Sequence, residues 1–104
     1  MPNITEVIKQ IRKEFGTSGY NINNGLCEDF TTRVIDQMGG YSNNLSDFAP
    51  DDMDCELPAH YCIEYNGKYY DAECSKGVDS WTKLPIFRKY FKKYPEELTR
   101  WITP

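Results

Sequence analysis

The sequence predicts an α+β fold: a cysteine-bearing helix packed on a small antiparallel sheet, with flanking helices at the N- and C-terminal ends. Three observations predict it. Residues 3–15 and 26–38 carry apolar side chains at helical spacing. Two alternating segments meet at Asn66-Gly67, the preferred turn of a tight hairpin. A further amphipathic stretch begins near Leu84. A chain of 104 residues holds one small domain, 1–104, around one hydrophobic core.

In the first helix, Ile4, Val7, Ile8, Ile11 and Phe15 form one stripe. Asn3 followed by Glu6 resembles a capping box, and Gly16 supplies the stop. This helix reads as core packing alone. Thr17 to Gly25 reads as a loop, with Asn23 or Asn24 as N-cap of the next helix. That helix runs from Leu26 to Met38 and ends at Gly39-Gly40. Cys27 lies in its first turn, beside Phe30, Val34 and Met38. The unpaired amides there favour a thiolate, whereas Glu28 and Asp29 oppose one.

Tyr41 to Pro58 reads as a long irregular segment, acidic through Asp47, Asp51, Asp52, Asp54 and Glu56. It is either a solvated insertion or a lid or binding loop. The spacing of an EF-hand is absent. Ala59–Tyr65 and Lys68–Cys74 read as the hairpin strands. The turn sets Tyr65 opposite Lys68, Glu64 opposite Tyr69, Cys62 opposite Asp71 and His60 opposite Glu73. Alternation then gathers His60, Cys62, Glu64, Tyr69, Asp71 and Glu73 on one polar face. Ser75 to Lys83 reads as a loop. Leu84, Phe87 and Phe91 then share a helix face, with Arg88, Lys89, Lys92 and Lys93 on another. That basic face is solvated, or it attracts an acidic partner or the acidic segment of the same chain. Pro95 begins a last short helix in which Leu98, Trp101 and Ile102 pack back.

Charge and composition bound the function. A formal net charge of -4 argues against a nucleic-acid partner held through phosphates. No apolar run is long enough for a bilayer, so no membrane partner is expected. The N-terminal residues do not have the pattern of a signal peptide, which points to a cytoplasmic protein whose four cysteines are thiols. Cys55, His60, Cys62 and Cys74 do not have the spacings of a common zinc site, and neither metal nor cofactor is expected.

Taken singly, Cys27 is a buried helix cysteine and His60 a structural hydrogen-bonding residue. Taken together, Cys27, His60 and Asp71 form a nucleophile, a base and an orienting acid. Glu73 is the alternative acid, and an amide from Asn23 or Asn24 is a candidate oxyanion donor.

The pattern His60-x-Cys62-x-Glu64-x3-Lys68-x-Tyr70-Asp71, with Gly25-Leu26-Cys27 before it, resembles the transglutaminase-like and other papain-like cysteine enzymes. Those families carry H-x-W-x-E…G-x-W-Y…D. Cys62 stands where their Trp is usual, and Tyr69-Tyr70 where Trp-Tyr is usual. The Asp-Cys-Ser-Gly signature of the NlpC/P60 peptidases is missing. The resemblance spans about residues 24–74. It implies a papain-like core, a Cys-His-Asp triad and an acyl-enzyme formed from a peptide, amide or thioester substrate. The competing class is a non-catalytic interaction protein on the same scaffold, acting on a protein partner through 41–58 or 84–93.

Overall fold

A computed structural model describes residues 3–50 and 57–102, the last three by their backbone alone. Helix α1 is Ile4–Phe15. Asn3 accepts a hydrogen bond from the Glu6 amide, and Gly16 closes the helix in the left-handed region at φ 69°. Ile4, Ile8 and Ile11 are buried, so the apolar stripe is the packing face.

Residues 17–25 depart from the expected loop. Ser18 caps a short helix, α2, at Gly19–Asn21, and the chain continues as a wide helical turn over Ile22–Leu26. The backbone leaves helical geometry at Asn24 and Gly25, then resumes as α3, Cys27–Gln37. Composition alone reads as loop here. Burial of Ile22 and Asn23 against the rest of the molecule overrides that local preference. Gly19 is required by close approach, because a Cβ there would stand 2.6 Å from the Ala72 carbonyl oxygen. Gly19→Ala is therefore expected to cost about 1–3 kcal/mol of stability. A urea denaturation midpoint equal to the parent's would contradict this account of the contact.

The sheet is an antiparallel meander ordered β1-β2-β3-β4. Its strands are Leu45–Phe48, Cys62–Tyr65, Lys68–Asp71 and Cys74–Val78. Asn66 and Gly67 both have positive φ, 51° and 81°, as the tight turn requires. The register pairs Tyr65 with Lys68 and Glu64 with Tyr69, as expected.

Three sequence expectations are corrected here. The segment 41–58 is not wholly irregular: β1 lies in it, pairing Leu45 with Tyr65 and Phe48 with Cys62. Asp51, Asp52, Asp54, Cys55 and Glu56 lie outside the described residues. Both hairpin strands are shorter than expected: the first begins at Cys62 rather than Ala59, which leaves His60 just before it, and the second ends at Asp71 rather than Cys74. Ala72-Glu73 turns the chain, and Cys74 opens β4 where a loop was expected.

The third correction concerns the face bearing Cys62 and Tyr69. It is not a polar surface but a second core. Leu45, Ile63 and Tyr70 pack with α1 and α3 on one side of the sheet. On the other, Cys62, Phe48 and Tyr69 pack with Trp81 and with Phe87 and Phe91 of α4, Pro85–Lys93. The chain thus has an apolar cluster on each face of its sheet, not a single one. A short 3-10 turn at Trp81–Lys83 leads into α4, and α5 follows at Pro95–Ile102. Leu98 packs against the second cluster; the expected packing of Trp101 and Ile102 lies outside the described side chains. Among the described residues, no helix is long and apolar enough to cross a membrane.

Candidate active site

The N-terminus of α3 meets the chain just before β2. The cap position of α3, Leu26, makes no side-chain capping bond. Cys27 and Thr31 lie one turn apart on α3 and grip the same residue. The Tyr61 amide donates to Cys27 Sγ at 3.5 Å, and Thr31 Oγ1 donates to the Tyr61 carbonyl at 3.4 Å. This double contact holds His60, the preceding residue, beside the thiol.

The His60 and Asp71 side chains are 0% and 1% exposed, with Nε2 and Oδ2 3.0 Å apart. An ionised carboxylate only accepts, so the proton lies on Nε2. Nδ1 of a neutral ring then presents a lone pair. That atom is buried and makes no hydrogen bond of ordinary geometry. The nearby Cys27 thiol and the imidazole nevertheless perturb each other's ionisation. Asp71 is itself held, since its Oδ1 accepts from the Glu73 amide at 2.9 Å. Phe87 closes the other side, its ring 5.6 Å from the imidazole in an edge-on contact. Cys27 is only half-buried, so its thiol is open to solvent beside an imidazole held out of water.

The electrostatics follow from this packing. Burial works against the imidazolium. The hydrogen bond to Asp71 and then the adjoining Cys27 thiol, with the charges behind them, overcome it and raise the His60 pKa to about 9. For Cys27, burial raises the thiol pKa, but His60 and the Tyr61 amide outweigh it and bring it below its ordinary value. Cys62 behaves in the opposite way: buried and facing acidic neighbours, its thiol is pushed well up. Burial likewise raises Cys74. Of the three described cysteines, Cys27 alone has a lowered thiol pKa.

The other candidates are placed differently. Glu73 does not face His60; its Oε1 accepts from Asn23 Nδ2 at 3.0 Å. Asn24 turns its amide to the Tyr20 carbonyl at 2.8 Å. The Asn23 Oδ1 is buried with no hydrogen-bond partner. The Asn23–Glu73 bond ties the approach to Cys27 to the turn after Asp71. Among the described residues, no three His, Cys, Asp or Glu side chains are grouped as a metal site needs. The sequence does not mark Thr31 or Phe87 as a site residue; Phe87 reads only as part of an apolar helix face. The i, i+4 spacing of Thr31 from Cys27 was the available signal for one, but nothing in the sequence joined Phe87 to His60.

Compared with family models, curated proteins and solved structures, the chain matches none of them.

Proposed function

We propose that this chain is a thiol-dependent acyl-transfer enzyme with a papain-like or transglutaminase-like core. Cys27 is the nucleophile, His60 the base and then the acid, and Asp71 the group that holds the imidazole tautomer. The observation that carries the reading is the buried Asp71–His60 pair, whose unpaired Nδ1 adjoins an accessible thiol of lowered pKa. In the reaction, the Cys27 proton passes to Nδ1 and the sulfur adds to the carbonyl carbon of an amide or thioester. The imidazolium then protonates the departing amine or thiol as the carbonyl re-forms. Water or an amine, losing its proton to Nδ1, releases the acyl group. The Cys27 backbone amide is the first candidate to bind the oxyanion. Asn23 can join it through whichever amide hydrogen Glu73 does not hold.

The test is a pH profile of Cys27 alkylation by iodoacetamide, resolved by site with mass spectrometry. The parent should react with a midpoint below the ordinary thiol pKa of about 8.5. His60→Ala should move the midpoint up and slow the reaction near neutral pH by about tenfold per pKa unit. Asp71→Asn should act in the same direction, more weakly. Three overlaid profiles with a model-thiol midpoint would favour the interaction-protein reading instead.

A further inference from the structure

Each of the three segments that carry the triad also contributes a wall to one neighbouring groove. Asn24 precedes Cys27, Pro58 precedes His60 and Glu73 follows Asp71, and all three line a groove of about 300 Å³. Its remaining walls come from Tyr20, on the α2 turn, and from Ile86, Tyr90, Lys89 and Lys93 of α4. That volume is at the lower end for ligand sites and suits one or two side chains. A larger cleft of about 750 Å³ opens between α4 and α5, but none of the triad's segments lines it.

The groove has two kinds of wall: Tyr20, Pro58, Ile86 and Tyr90 are apolar or aromatic, and Glu73, Lys89 and Lys93 are charged. Tyr20 is 53% exposed, a large apolar surface left uncovered at the mouth. Lys89 Nζ lies 4.7 Å from the centre of the Tyr20 ring, which fixes a cation at that rim. Lys93 follows one helical turn later, about 6 Å along α4. The helix carries Arg88, Lys89, Lys92 and Lys93 and no acid, although the whole chain has a formal charge of -4. The one groove carboxylate, Glu73, follows Asp71 of the triad by two residues and is engaged by Asn23. An anion is therefore repelled beside Glu73 and attracted beside Lys89 and Lys93.

Resting on the acyl-transfer reading, we infer that this groove selects the acyl side of a peptide substrate. The favoured sequence has a bulky apolar residue next to the scissile carbonyl and an acidic residue one step further from it. The apolar side chain covers Tyr20, Ile86 and Pro58, and the carboxylate meets Lys89 and Lys93. The acyl side is the portion that stays bound through both half-reactions, so selection there acts on each of them.

The experiment compares labelling of Cys27 in the full chain by three peptidyl vinyl sulfones: Asp-Leu, Lys-Leu and Gly-Gly. Each rate is divided by the iodoacetamide rate of the same protein, which removes differences in thiolate population. The Asp-Leu probe should be at least about tenfold faster than the other two, with a preference that weakens as salt screens the lysines. K89E/K93E should invert the Asp-Leu over Lys-Leu preference. The neutral pair K89Q/K93Q should level it and covers the case in which glutamates unwind the helix end. If iodoacetamide finds Cys27 no faster than the other cysteines, the acyl-transfer reading and this inference fall together. If Cys27 is fast but the three probes label alike, or the preference survives both double variants, the groove inference alone is overturned.

Discussion

Asp71→Ala is expected to cost about 3–5 kcal/mol of folding stability, the loss that follows removal of one member of a buried ion pair. The pair qualifies because both side chains are essentially out of water and Nε2 and Oδ2 are 3.0 Å apart. Three things are lost at once. His60 loses the acceptor for its Nε2 proton, and its charged form loses the carboxylate that stabilised it. The Glu73 amide loses Asp71 Oδ1, which holds the turn into β4. Burial then dominates the imidazole, whose pKa falls from about 9. Asp71→Asn keeps the volume and one acceptor oxygen, so its loss should be smaller. Urea denaturation of both variants at neutral pH, with the imidazole followed by NMR, checks the account. A loss under about 1 kcal/mol for Asp71→Ala would mean that the buried pair does not contribute as a hydrogen-bonded ion pair should.

The same pair shows what was legible in the chain and what was not. Asn66-Gly67 admits one tight turn, and that turn dictates the β2–β3 register. His60 lies just before β2, so it meets Asp71 from outside the paired residues. The caps of α1 were equally legible, because Asn3 and Gly16 act through bonds within a few residues. The edge strands were not. Leu45 turns to one core and Phe48 to the other, so β1 shows no alternation of apolar and polar residues. Strand β4 is polar and contains Gly77, whose missing Cβ admits the Tyr70 ring. Neither strand is specified by its own composition; each is made by its neighbour. The helical path of 18–26 was hidden for a similar reason, since Gly19 reads as a loop residue until Ala72 lies against it. Glu73 and Asp71 were equivalent by alternation. The strand end at Asp71 separated them, sending Glu73 to Asn23.

Cys27→Ala is expected to make stability fall with rising pH over a wider range than in the parent. In the parent, two shifts of opposite sign share one site. The His60 pKa is raised to about 9, so its contribution is complete below its ordinary value of 6.5 and is lost as pH rises through 9. The Cys27 pKa is lowered from 9.0, so its contribution is complete above 9.0 and is lost as pH falls through the folded value. Between the lowered Cys27 value and about 9 the folded pair is thiolate and imidazolium, holding one proton. The unfolded chain holds a thiol and a neutral imidazole, again one proton. Equal proton counts give no slope. Without the thiol, folded His60 still carries a proton through Asp71, while the unfolded imidazole carries none. Stability should then fall as pH rises above 6.5, by up to about 1.4 kcal/mol per unit, until the folded imidazole itself deprotonates. Other groups largely cancel in the difference between the two proteins, and Cys62 and Cys74, both raised, titrate above this window. The measurement is the unfolding free energy of parent and Cys27→Ala from pH 6.5 to 9, across the range in which the Cys27 thiol ionises in the folded parent. A gap between them that widens with pH is the signature of a thiolate–imidazolium pair. Parallel curves would mean that thiol and imidazole ionise independently, and the nucleophile would lose its base.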